Sequence, residues 1–307
     1  MKKIIAAAVA GAFVAPVAVA DITVGGEIEY VYTSPGAGEA SITDTETNLF
    51  LSGTTELDNG MSVTGKMSFR NQDPEVNGNA TAGVLSEGGS NLTFNMNQYG
   101  ILQVGDVAGA IDAFDDVADA NMQGGESVSH KDGAIAYVFP AIVEGLTIRY
   151  AMSPSGSNAA GGESDNIQDD YSGIAVKYVA GNYSAYLGQD EYASGVNTVT
   201  EFAFGATAEF GALGLAYETS DREDDAAGVG NHQTVTGMAV TYAVNNQISL
   251  AASNAVTDDG SNVTESDTTA YTVYYTLGDG VTLYAETAED SEAAAGSSEY
   301  FGVEYKF

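Results

Sequence analysis

The sequence predicts an all-β chain whose sixteen antiparallel strands close into a transmembrane β-barrel. Three observations carry that prediction. Apolar residues recur with a period of two along short segments, tight turns alternate with long polar loops, and aromatic residues stand at the ends of the apolar faces. A period of two is the signature of strands with one apolar and one polar face.

The first element is not part of the barrel. Residues 1–20 read as a secretory leader: Lys2 and Lys3 form a positive start, 4–14 an apolar stretch, and Ala18-Val19-Ala20 a small-residue cleavage site. The apolar stretch is too short for a spanning helix, which needs about 20 residues. The barrel domain is therefore expected at 21–307.

Strands are expected at 22–32 and 45–57, then at 61–70. In the third, Met61, Val63, Gly65, Met67 and Phe69 alternate with Ser62, Thr64, Lys66, Ser68 and Arg70. Strands at 91–97, 100–105 and 132–139 follow. The seventh, 146–152, puts Leu146, Ile148, Tyr150 and Met152 opposite Thr147 and Arg149. After 171–180 and 182–189 comes 198–210, where Phe202, Phe204, Ala206, Ala208 and Phe210 alternate with Glu201, Gly205, Thr207 and Glu209. Segments 212–219, 234–244 and 246–254 lead to 268–277, where Tyr271, Val273, Tyr275 and Leu277 share a face. The last two are 281–288 and 298–307, the latter alternating Phe301, Val303, Tyr305 and Phe307 with Tyr300, Gly302, Glu304 and Lys306.

Seven connections are short, among them Asp58-Asn59-Gly60, Gly181-Asn182, Gly211-Ala212 and Gly278-Asp279-Gly280. Asn, Asp and Gly supply the positive φ that tight hairpins demand. The long connections are 33–44, 71–90, 106–131, 153–170, 190–197, 220–233, 255–267 and 289–297. A soluble sandwich alternates too, but it does not sort its connections in this way. Most of the strands approach the roughly 9–11 residues that cross a bilayer at a tilt. Tyr30, Phe69, Tyr150, Tyr178, Phe202, Phe210, Tyr242 and Phe301 stand where interfacial aromatic girdles belong.

Composition excludes several functions. With 43 acidic and 9 basic residues, the net charge is −34, and a nucleic-acid partner is not expected. The absence of Cys excludes thiol catalysis and Cys-ligated zinc. His130 and His232 are the two histidines, and no nucleophile elbow accompanies them, so no enzyme is expected. No cofactor is expected. The odd spacing of Asp221, Glu223 and Asp225, and the pair Asp169 and Asp170, suggest at most weak Ca²⁺ binding at acidic loops.

The opening strand Ile22-Thr23-Val24-Gly25-Gly26-Glu27-Ile28-Glu29-Tyr30, the strand order, the long third loop and the end Tyr300-Phe301-Gly302-Val303-Glu304-Tyr305-Lys306-Phe307 together resemble a Gram-negative general diffusion porin. The resemblance covers the whole predicted domain. It implies Sec-type export to the outer membrane, contact with outer-membrane lipid and lipopolysaccharide, and assembly by the barrel machinery through the Phe307 strand. It further implies a homotrimer in which each barrel is its own pore for small hydrophilic solutes, with the third loop folded into the lumen as a constriction.

Parity then sorts the lining. Lys66, Arg70, Arg149 and Lys177 point inward, four of the seven basic residues beyond the leader. Glu27, Glu29, Glu56, Glu201, Glu209, Glu218, Glu286 and Glu304 also point inward. The third loop carries Asp106, Asp112, Asp115, Asp116, Asp119 and Glu126, and the apolar spacing in 108–122 suggests a short helix. Acids on the loop opposite the four bases would set a transverse field across a narrow wet gap. The overall charge predicts a modest cation preference. Two alternatives are a pore selective for sugars or organic cations, given inward Tyr274 and Tyr284, and a structural or adhesive barrel.

Overall fold

A computed structural model describes residues 21–36, 38–71, 85–115, 118, 132–154, 170–194, 197–225, 232–258, 260, 265–291 and 297–307. The expected leader, 1–20, lies outside them. The strands are β1 (Asp21–Ser34), β2 (Ser41–Glu56), β3 (Ser62–Asn71), β4 (Leu85–Asn95), β5 (Ile101–Ala108) and β6 (Asp132–Val138). They continue with β7 (Leu146–Met152), β8 (Ser172–Ala180), β9 (Tyr183–Ser194), β10 (Asn197–Phe210) and β11 (Leu213–Asp224). The last five are β12 (His232–Ala243), β13 (Ile248–Asp258), β14 (Glu265–Gly278), β15 (Val281–Asp290) and β16 (Ser297–Lys306).

Every strand pairs antiparallel with its sequence neighbours, and β1 pairs with β16 to close the barrel. The expected strand number and closure are both observed. The apolar faces point outward: Phe202, Phe204, Tyr217, Tyr242, Tyr275, Phe301 and Phe307 are exposed. Glu201 and Ala203, on the other parity of β10, are buried inside. Outer aromatics meet edge to face, as Tyr183 and Phe210 do at 6.0 Å.

The seven short turns occur as expected. Asp279 and Gly280 adopt φ of 48° and 81° in the β14–β15 turn. The opposite rim differs from expectation. β4 begins at Leu85 rather than 91, and β11 continues to Asp224. β9 and β10 pair as far as Ser194 and Asn197, so a tight hairpin replaces the long connection expected at 190–197. Above the lipid both strand faces meet water, so the apolar alternation fades while the hydrogen-bonded ladder continues.

The closing seam is tied from within. Phe307 exchanges backbone hydrogen bonds of 2.9 and 3.0 Å with Gly26. Lys306 Nζ lies 2.5 Å from Glu304 and 3.8 Å from Glu27. The buried Tyr284 donates its hydroxyl to Glu29 Oε1 at 2.8 Å, linking β15 to β1 across β16. Hydrogen bonds to charged groups contribute about 1.5–3 kcal/mol. Tyr284→Phe is therefore expected to lower barrel stability by roughly that amount in urea unfolding from lipid vesicles. An unchanged midpoint would show that this seam bond is dispensable.

Candidate pore constriction

The described part of the third loop, 109–115 and 118, leaves β5 and lies along the inner wall. Its start is held by Arg149 of β7, which is buried. Arg149 donates from Nε to Gly109 O at 3.0 Å, from one terminal nitrogen to Ala108 O at 2.5 Å, and from the other to Gln103 Oε1 at 2.7 Å. Only a planar fork with several donors reaches three such acceptors at once. One residue on, Ala110 N donates to the Tyr171 hydroxyl at 2.6 Å. Burial, reinforced by the Asp190 carboxylate beside it, raises the Tyr171 phenol above its ordinary value and keeps it a neutral hydroxyl.

The loop then turns once. Phe114 N and Asp115 N donate to Ile111 O at 2.7 and 3.1 Å. This single turn is all that the described residues contain of the helix expected at 108–122; most of the remainder lies outside them. Ile111 is fully buried against Tyr186, Ala203 and Val235. Farther on, Ala118 N donates to Glu218 Oε2 of β11 at 3.2 Å, and Tyr186 holds the other oxygen of that carboxylate at 2.6 Å. The described residues of the strap thus reach, inside the barrel, from β5 to β11.

Inward small residues make this path possible. A Cβ on Gly188 would lie 2.6 Å from Ile111 Cγ1, and one on Gly237 would lie 3.0 Å from the Ala118 Cβ. Ala136, Ala151 and Ala175 line the same groove and are fully or almost fully buried.

The sequence-predicted bases do not form one continuous group. Arg149 and Lys177 sit at the strap, the Lys177 ammonium 5.6 Å from the centre of the Phe114 ring. Lys66 and Arg70 of β3 are exposed in the lumen. They line a cavity of about 340 Å³ with Phe50, Ser68, Asn91 and Asp106. Asp106 therefore joins Lys66 and Arg70 rather than the distal loop acids. Asp112 is half-buried and Asp115 buried within the strap. Asp116, Asp119 and Glu126 lie outside the described residues, as does His130.

Several lining residues escaped the sequence reading. Arg222 continues the inward row of Glu218 and Ser220 on β11, opposite Glu201, with its guanidinium carbon 5.9 Å from the Tyr192 ring centre. Asp190, fully buried on β9, faces Glu201 across the ladder. Both fall in the expected loops 190–197 and 220–233, although the parity of the preceding strands continues through them. Phe50 was missed for another reason: it is an apolar residue on the inward face of β2, level with Ser68. Glu29, Glu201, Glu218, Glu286 and Glu304 face inward as expected, but they are buried rather than merely wetted. The expected acidic loop at Asp221 and Glu223 is instead strand, and Asp225 Oδ1 accepts from Thr198 N at 2.8 Å. Tyr274 and Tyr284 have ring centres 6.3 Å apart, and Tyr284 is committed to Glu29.

A model of the family described as Gram-negative porin matches residues 6–295. No curated protein matches the sequence. Among solved structures, a loop-deletion mutant of OmpT, an outer membrane protein of Vibrio cholerae, has a TM-score of 0.74 at 15% identity, covering 94% of this chain and 99% of that one. OmpF of Salmonella typhi in complex with daunomycin has a TM-score of 0.74 at 12% identity, covering 93% and 97%. An anion-selective porin from Comamonas acidovorans has a TM-score of 0.71 at 15% identity, covering 94% and 100%. At these identities the likeness establishes the fold.

Arg149 should be indispensable to the strap. Each buried carbonyl left without a donor costs about 1–3 kcal/mol. Arg149→Ala is expected to produce noisy single-channel records with raised mean conductance. Arg149→Lys should fail to restore them, because one ammonium cannot replace the fork. Wild-type traces from Arg149→Ala would show that the loop is held elsewhere.

Proposed function

The chain belongs to the Gram-negative porin family, and on that premise we propose that its outer-membrane channel passes small hydrophilic solutes and ions by passive diffusion, with a modest preference for cations. The observation that carries this reading is an internal strap pinned along one side of the lumen while Lys66 and Arg70 stand exposed within it. Solutes pass between them. The acidic charge that the sequence concentrates in this loop, the half-buried Asp112 among it, opposes Lys66 and Arg70 across the gap, with Asp106 beside those two bases. Arg149 and Lys177 support the strap and contribute positive potential from beneath it.

The cation preference follows from the excess of acidic residues, 43 against 9 basic. Fixed negative charge in a narrow aqueous passage raises the local cation concentration. Lys66 and Arg70 moderate the effect at the gap. The anion-selective Comamonas acidovorans porin has the same fold. A shared barrel therefore does not set the sign of selectivity, and the cation preference proposed for this chain rests on its lining side chains. A sugar track has little support, since Tyr284 is buried and bonded to Glu29. His232 sits at the rim on the outer surface of β12, but catalysis by it has little support, because its contacts to Asp221 and Thr234 converge on one ring nitrogen.

The assembly reading is a homotrimer exported by cleavage of residues 1–20, in contact with lipopolysaccharide and inserted through the Phe307 strand. The OmpT of Vibrio cholerae has a structure described as a trimer form, which supports the assembly.

The test is the zero-current potential of the reconstituted channel in a salt gradient. Lys66→Ala with Arg70→Ala should raise the cation-to-anion permeability ratio by roughly twofold or more. The effect should grow at low ionic strength, because the Debye length is about 8 Å at physiological salt. Asp258→Asn at the rim should change the ratio less. If the rim substitution dominates and the double variant is silent, the gap is not where selectivity arises.

A further inference from the structure

Three metal-ligating side chains meet on the outside of the barrel, at the long-loop rim. Asp221 and Glu223 are two residues apart on β11 and so share a face. The register puts Asp221 opposite Phe202, an outward residue, and Glu223 opposite His232 of β12. One ligand atom from each of Asp221, Glu223 and His232 lies within 4.8 Å of the other two.

The contacts of the imidazole distinguish the uses of this cluster. His232 Nε2 is 3.5 Å from Asp221 Oδ2 and 3.3 Å from Thr234 Oγ1. Both contacts converge on one nitrogen. A hydrolytic triad uses the two ring nitrogens for two different partners, so this ring is not arranged to relay a proton between Thr234 and Asp221. An exposed His–Asp ion pair contributes little by itself and leaves Glu223 unexplained. Three donor atoms gathered within 4.8 Å of one another are a starting set for a metal ion. A cavity of about 510 Å³, lined by Thr198, Thr200, Glu223, Asp224, Asp225 and His232, adjoins them. It has room for the water or anion that would complete the coordination.

We propose that Asp221, Glu223 and His232 form a site for a divalent transition-metal ion of the Zn²⁺ type on the outer rim. One imidazole and two carboxylates make a borderline donor set that suits Zn²⁺, whereas Ca²⁺ takes six to eight oxygens and gains nothing from a ring nitrogen. Ligand bonds of about 2.0–2.2 Å bring the donors closer together than they now stand. Rotation of Glu223 and His232, both exposed, closes that difference without moving the strands. The two carboxylates balance the charge of the ion, and the adjacent strands β11 and β12 hold the ligands in register.

The experiment uses the full chain in detergent, stripped with a chelator and titrated with Zn²⁺ by calorimetry, with Co²⁺ absorption as a second readout. The wild type should bind one Zn²⁺ per chain, and Co²⁺ should give visible bands. His232→Ala and Glu223→Gln should each weaken Zn²⁺ at least tenfold and abolish the Co²⁺ bands while keeping wild-type barrel migration on gels. His130→Ala should bind as the wild type does. Equal binding by His232→Ala, displacement of Zn²⁺ by equimolar Ca²⁺, or no stoichiometric binding by the wild type would each overturn the site.

Discussion

In hydrocarbon, an unpaired backbone N–H or C=O costs several kcal/mol, so a spanning sheet must have no edge. The β1–β16 ladder meets that constraint, from Glu27↔Lys306 to Ser34↔Glu299. The rest of the architecture follows from closure. It assigns every residue to lipid or lumen by parity, and it obliges the apolar parity to face out. Polar side chains are left inside, in a space that must be either filled or wet. Seam contacts such as Tyr284–Glu29 are therefore interior contacts by necessity.

The third loop fills part of that space, and it raises a second satisfaction problem. Among the described residues beyond β5 it has no ladder, yet this stretch of backbone is buried, where N–H and C=O groups need partners. Side chains from the wall supply them: Arg149 for two carbonyls, Tyr171 for the Ala110 amide and Glu218 for the Ala118 amide. Burying Arg149 and Glu218 is costly unless their hydrogen-bonding capacity is used. Arg149 reaches three acceptors, and Glu218 receives donors on both oxygens. Several inward charges thus serve the loop rather than a passing solute.

This explains what could be read beforehand. Turn residues such as Asp58-Asn59-Gly60 and the alternation through 198–210 are local signals, and strand number and facing follow from them. Parity also told which charges face inward. It could not tell which lie beneath a loop, because that depends on contacts between residues far apart in sequence. Lys66 and Arg149 have the same parity, yet one is exposed and the other bound. The groove of Ala175, Gly188, Ala203 and Gly237 is made of small inward residues, which gain meaning only once Ile111 and Ala118 lie against them. The upper strand ends were hidden because two polar faces carry no alternation. Arg222 and the outward row of Asp221 and Glu223 therefore read as loop in the sequence, though β11 carries them.

The start of the third loop, through Ala118, is strapped along the inner wall as far as β11 and the adjoining Gly237 of β12, and narrows the passage there. The natural chain has no cysteine, so a designed pair can report on this without interference. Ala118 Cβ lies 3.0 Å from the position of a Cβ on Gly237, slightly inside the usual disulfide spacing of about 3.8 Å. Ala118→Cys with Gly237→Cys should oxidise to a bridge in the folded barrel and leave unit conductance close to that of the wild type. Failure to cross-link in a folded barrel, or a bridge that changes the conductance severalfold, would contradict the account.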